Sequence, residues 1–330
     1  MNKNNITESA LLALDPQYST TRQVTLAPPE ITNQATDKIH SLLFLPDNSE
    51  RKAEGGLRTQ GYFKKDQEDK PLISVITVVF NGAAHLEQTI NSVIGQTYDN
   101  VEYIIIDGSS TDGTLDIIKK YELQIDYWVS EPDEGIYDAM NKAAALATGK
   151  WINFMNAGDS FHEKEVISSM FHSVDLDDVA VVYGDVMNVF SQQCKVLHKC
   201  RTLKLFYQRL PFSHQSVFVK TLLLKNKSFD QQYHINADYD FFYKLYQAEL
   251  KFLYHPIVVA NFDMFGASTN YIKSFQEKKR ILSQYDPQKV SYLSYKIFLV
   301  LKIKEIIKLL LPNGIVTHIR INLSKFYNRN

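Results

Sequence analysis

Cysteine is nearly absent. Cys194 and Cys200 are the only two in 330 residues, and two thiols without a matching second pair form neither a disulfide framework nor a zinc site. A reduced, cytoplasmic protein is the expectation that follows. An excess of one charge is missing too: 36 basic residues face 37 acidic ones, so the chain has no overall field to attract nucleic acid, and no such partner is expected. Long apolar runs are lacking, since nowhere do the roughly 18 uncharged apolar residues of a membrane-crossing helix follow one another. The opening stretch MNKNNITESALLALDPQYST has no apolar run after a basic start, so no signal peptide is expected. There is no GxGxxG and no GxxxxGK[ST], which removes the Rossmann fingerprint and the P-loop. No internal repeat or low-complexity tract is visible.

Core-forming residues, by contrast, are plentiful. With 45% hydrophobic and 22% charged residues, the chain suffices for one large domain with appendages or two ordinary ones. Residues 1–70 are polar and mixed, with Pro28-Pro29, Gly55-Gly56 and a charged run from Lys64 to Lys70, and read as an extension with little core of its own. Within it, GGLRTQGYF (55–63) reads either as a loop near a polar ligand or as an ordinary surface segment. From Pro71 the texture changes. ISVITVV (73–79), VEYIIID (101–107), DYWVS (126–130) and WINFM (151–155) are strand-like, and AHLEQTINSVI (84–94), TLDIIKKYE (114–122) and IYDAMNKAAALATG (136–149) alternate with them at helical spacing. That alternation predicts βαβ units in an α/β, doubly wound, mostly parallel sheet, whose ligands bind at the carboxyl ends of the strands. Further strands are expected over 179–185 and 251–262, a helix over 237–249, and a helical, basic tail from Tyr271 onward.

The polar residues gather at the expected strand ends. Asp107 opens DGSSTDGT (107–114), where a carboxylate can accept from a ligand N–H, while Ser109 to Asp112 equally suit a capped βα turn. SEPDEGIYDAMNKA (130–143) sets Asp138, Asn141 and Lys142 on the first turns of a helix, either towards a hydroxyl-rich ligand or as a solvated helix start. NFMNAGDSF (153–161) ends its strand in Asn156 and Asp159. These are hard oxygen donors of the kind Mg²⁺ or Mn²⁺ prefers, with substrate phosphate and water completing the shell.

PLISVITVVFN, IIIDGSSTDGT, SEPDEGIYDAMNKA and NFMNAGD, in this order, resemble the inverting family 2 glycosyltransferases of the GT-A fold. The chain is most similar to bacterial enzymes that build colanic acid, capsule or O-antigen. The resemblance covers residues 71–265, leaving 1–70 as an extension and 266–330 as a basic amphipathic helical tail. It implies a nucleotide-sugar donor, UDP-linked first, and a glycan or lipid-linked glycan acceptor. Val79, Phe80 and Asn81 would help hold the nucleotide, Asp107 would accept from uracil, and Ser109, Asp138, Asn141 and Asn156 would line the donor site. NAGD stands where the family has its DxD metal motif, with Asn156 for the first acid, Gly158 for the second and Asp159 as the metal ligand. In INADYDFFYKL (235–245) Ala237 replaces the family's Glu, so Asp238 takes the place of the catalytic base and Asp240 is the second candidate. His214 in FSHQS (212–216) would touch diphosphate or acceptor, or serve as a buried structural histidine. Other readings left open are a degenerate nucleotide-sugar-binding scaffold and a sugar nucleotidyltransferase. Lys296, Lys302, Lys304 and Lys308, set among apolar residues in YKIFLVLKIKEIIKLLL (295–311), suit either an anionic membrane surface at the inner face of the cytoplasmic membrane or a helix packing on the catalytic domain or in a dimer.

Overall fold

The computed structural model describes residues 10–14, 23–172, 174–191, 193–264 and 270–290, with Lys302 and Ile306 beyond them. The tail segment 295–311 therefore lies outside the described residues, Lys302 and Ile306 apart. Two short strands, β1 (Leu12–Ala13) and β2 (Gln23–Val24), pair with each other. The next, β3 (Ala53–Gly55), is an edge strand antiparallel to β6 (Tyr127–Ser130) of the main sheet. GGLRTQGYF is mixed: residues 55–58 are buried, whereas Thr59 and Gln60 are exposed and 61–63 half-buried. Arg58 is only 3% exposed; its guanidinium donates to Glu102 at 2.5 Å and to the carbonyls of Leu43 and Leu146. Glu102 also accepts from Ser74, Thr148 Oγ1 and the Thr148 N–H. Burial alone would push the Glu102 carboxyl up, but Arg58 and these donors reverse it and hold it below its usual range.

The centre is built from β4 (Ile73–Val79), β5 (Val101–Asp107), β6 and β7 (Trp151–Phe154), buried at every position. Because successive side chains of a strand point to opposite faces, each strand feeds two cores. Ile76, Val78, Ile104 and Ile106 enter one, and Ile73, Val75, Tyr103 and Ile105 the other. Helices α1 (Ala83–Ile94), α2 (Thr114–Lys120) and α4 (Val166–Phe171) bury their apolar stripes in the second core. The first core receives α3 (Ile136–Leu146), α5 (Thr221–Lys227), α6 (Ala237–Gln247) and α7 (Tyr271–Tyr285). Gly149 lets the chain turn from α3 into β7, since a Cβ there would come within 2.7 Å of Leu72 O and Ser74 N.

The remaining strands are β8 (Ser160–Phe161), β9 (Val179–Ser191), β10 (Cys194–His198), β11 (Val217–Lys220) and β12 (Lys251–Asp263). The ten-stranded sheet runs β3-β6-β5-β4-β7-β11-β9-β12-β8, with β10 on β9. Strands β4, β5, β6, β7, β9 and β12 share one direction, and β3, β8, β10 and β11 oppose it. The expected doubly wound, mostly parallel α/β sheet is present. Among the described residues no helix is long and apolar enough to cross a membrane.

Candidate active site

The order β6-β5-β4-β7 means that the chain grows the sheet one way from β4 and then returns to its other side with β7. Such a reversal parts the flanking loops and leaves a crevice at the strand ends. A cavity of about 650 Å³ opens there, walled by the loop after β4, the turn after β7, a loop from Leu210 to Gln215, the start of α6 and the end of β12.

The loop after β4 is fastened to the loop after β5. Asn81, at φ 50, donates its N–H to Ser110 Oγ at 2.7 Å and accepts the Thr111 N–H at 2.9 Å. Asp112 accepts the Ala83 N–H at 3.0 Å and the Thr114 hydroxyl at 2.5 Å. Phe80 is left 65% exposed beside the cavity.

In the turn after β7, Gly158 at φ 102 takes a conformation that side chains resist and brings Asp159 back under Asn156. Asp159 accepts from Gln215 Nε2 at 2.8 Å and from the Asp263 N–H at 3.3 Å. Burial pushes its carboxyl up to about 6, against the pull of Gln215 and His214. Asn156 places Nδ2 3.0 Å from His214 Nε2, while its Oδ1 is buried without a hydrogen-bond partner.

From the opposite wall, the first turn of α6 presents Asp238. Its Oδ1 accepts the Tyr239 N–H at 2.8 Å and shares the Tyr137 hydroxyl, at 3.1 Å, with the Ile235 carbonyl at 2.9 Å, and its Oδ2 lies 3.7 Å from His214 Nδ1. Burial opposes its charge, yet His214, Tyr239 and Tyr137 together hold the carboxyl below its usual range, so it is ionised at neutral pH and able to accept a proton.

Val79, Phe80, Asn81, Asn156, Asp159, His214 and Asp238 thus meet at one cavity. Five other expected residues are not in its wall. Asp107 is fully buried and spent on the Ser110 N–H and hydroxyl and on the Ser130 hydroxyl at 2.6 Å, so it holds the βα turn instead of facing a base. Ser109 offers its carbonyl to Lys52 Nζ at 3.0 Å. Asn141 exchanges both amide bonds with the backbone of Phe229, each at 2.9 Å. Asp138 accepts from Gln231 and the Glu134 N–H. Asp240 turns into the protein, fully buried and 2.6 Å from Lys244 Nζ; two residues along a helix is over half a turn, which separates it from Asp238. Sequence reasoning missed Tyr137, Gln215 and Asp263 as cavity residues. The first two lay inside quoted motifs, whereas Asp263, at the end of a long strand, had no signal.

The family model described as "Glycosyl transferase family 2" matches residues 74–221. A "PGL/p-HBAD biosynthesis glycosyltransferase" of Mycobacterium bovis is 30% identical over 217 residues, which are 64% of this chain and 84% of that protein. The chain belongs to glycosyl transferase family 2. This family 2 glycosyltransferase is also similar to the "Putative teichuronic acid biosynthesis glycosyltransferase TuaG" of Bacillus subtilis, 38% identical over 101 residues, 29% of this chain and 40% of that one. Among solved structures it shares its fold with S. aureus TarS 1-349 in complex with UDP, at TM-score 0.52 and 19% identity, over 65% of this chain and 66% of that one. It likewise shares its fold with the mannosyltransferase PcManGT from Pyrobaculum calidifontis in complex with GDP-Man and Mn²⁺, at TM-score 0.53 and 17% identity, over 78% and 81%. The expected GT-A-type fold and glycosyltransferase class are therefore met.

Proposed function

We propose that the enzyme transfers a sugar, with inversion, from a nucleotide-sugar donor to a hydroxyl of a glycan or lipid-linked glycan during synthesis of a surface polysaccharide or glycoconjugate. The observation that carries this reading is the Asp238 carboxyl facing the same cavity as Asn156 and Asp159. Asp238 would take the proton from the acceptor hydroxyl as its oxygen attacks the anomeric carbon from the face opposite the leaving diphosphate. Tyr137 and the Tyr239 N–H fix Oδ1 of that base and leave Oδ2 for the proton.

The residues fit a divalent cation, Mg²⁺ or Mn²⁺. Asn156 Oδ1 is a buried oxygen without a partner, Asp159 is a desolvated carboxylate, and oxygen donors are what these ions prefer. Among the described residues no group of three or more His, Cys, Asp or Glu closes a cage, so donor diphosphate and water would complete the shell. When bound, the cation would supply positive charge for the departing diphosphate. The names of the mycobacterial and Bacillus relatives support a glycoconjugate or polysaccharide product. The lysine-studded segment 295–311 supports attachment at the inner membrane face, and flotation with anionic liposomes, with and without it, checks that.

The donor half is tested by nucleoside diphosphate release from UDP-, GDP- and dTDP-sugars with Mn²⁺, Mg²⁺ or EDTA, using the full chain and Asp159→Ala. Release from one donor class, lost with EDTA and in the variant, is expected. Absence of any donor binding would overturn the reading.

A further inference from the structure

The two ring nitrogens of His214 meet opposite demands. Nε2 lies 3.0 Å from Asn156 Nδ2. An amide nitrogen only donates, so Nε2 must accept, and the proton of the neutral ring falls on Nδ1. Nδ1 in turn lies 3.7 Å from Asp238 Oδ2, where an N–H is attracted by the carboxylate and a lone pair would be repelled. Two elements far apart in sequence, the turn after β7 and the start of α6, therefore select the same tautomer. The selection also turns Asn156 Oδ1 away from the ring, which accounts for its lack of a partner.

We infer that His214 is the positioning residue of the base: Asn156 fixes the Nδ1–H tautomer, and that N–H steers Oδ2 of Asp238 towards the acceptor. This rests on the reading of Asp238 as the base and adds the device that orients it. It also gives a reason for an amide at the place of the first acid of the metal motif. A carboxylate at 156 would accept from Nε2–H, leave a lone pair on Nδ1 and set it against Asp238. An amide offers an oxygen on one side and a donor to the histidine on the other. His214 need not touch sugar or diphosphate to act in this way.

Two measurements on the full chain test it. In a long-range ¹H–¹⁵N spectrum of protein labelled with ¹⁵N-histidine, with His214 assigned by its loss in His214→Asn, the neutral ring is expected to carry its proton on Nδ1, and Asn156→Asp is expected to move it to Nε2. A wild-type ring protonated on Nε2 would overturn the inference without any substrate being present. The second uses the nucleotide sugar selected by the release assay. Asparagine at 214 places an amide N–H near Nδ1, and glutamine places one near Nε2. His214→Asn should keep kcat within about tenfold of wild type and His214→Gln lose about a hundredfold, with donor KM little changed in both. A better His214→Gln, or a loss carried by donor KM, would assign the ring to the donor and contradict the inference. Asp238→Asn in the same assay keeps the two readings apart: turnover retained there removes the base, whereas the spectrum reports the tautomer alone.

Discussion

Across β4 and β5 the pairing runs from Ile73 with Val101 to Val79 with Asp107 without a shift, whereas β9 and β12 pair with shifts at three places. The regular half spends its polar residues on itself: Asp107 on two serines, Asn81 and Asp112 on the neighbouring loop, Glu102 on Arg58. The irregular half, where β11 is inverted and the chain leaves the sheet in long loops, brings His214, Asp238 and Asp263 to the cavity. The parallel half holds its shape and presents Asn156 and Asp159 at the end of β7, and His214 and Asp238 reach in from the other half.

The largest effect that would test this division is on stability. Arg58→Met strands a buried Glu102 and should cost about 3–5 kcal/mol in chemical denaturation, with donor KM unchanged for the folded fraction. A shift in KM without a stability loss would instead place the N-terminal segment in the donor site. Next, Asn141→Ala leaves the N–H and C=O of Phe229 unpaired and should cost about 1–3 kcal/mol by the same measurement; unchanged stability with weaker donor binding would restore Asn141 to the site.

A smaller effect concerns Lys225, which joins the halves by donating to Ser41 Oγ and Ala147 O. Burial pulls its ammonium down to about 8, below its unfolded value near 10.4. Between those values the unfolded chain binds more protons, so stability rises with pH through that window. Wild type should gain on Lys225→Met by on the order of 1 kcal/mol from pH 8 to pH 10 in denaturation curves, and a flat difference would contradict the shift. The smallest expected effect is on turnover in Asp240→Asn. Since Asp240 faces Lys244 and not the cavity, kcat per folded molecule should stay within about twofold, whereas loss of a general base costs about 10²–10⁴-fold.

The parallel half was legible because its signals are strong and local. The β-branched runs 73–79 and 101–107 are β4 and β5 to the residue, and α1 begins one residue before its apolar spacing does. By contrast β3 reads Ala-Glu-Gly, with no strand-forming residue in it; it is a strand only because β6 offers an open edge. β11 has four residues, too few for a period to show. In the site, NAGD pointed to Asn156 and Asp159 because loops at strand ends carry few other constraints, whereas Asp238, on α6, was reached through the resemblance of INADYDFFYKL to the family segment. Asp107 is withdrawn from the cavity by Ser110, three residues on, and by Ser130 at the end of β6, a partner distant in sequence. Asp238 and Asp240 could be told apart only once the packing of Phe241 and Leu245 had set which face of α6 is buried.

The central claim is that one carboxylate, Asp238, does the proton transfer in a cavity whose other walls hold the donor. Donor binding and nucleoside diphosphate release in the presence of acceptor, measured side by side on wild type and Asp238→Asn, address it most directly. Equal donor affinity with release lost in the variant is the predicted result, and release at the wild-type rate from Asp238→Asn would contradict the account.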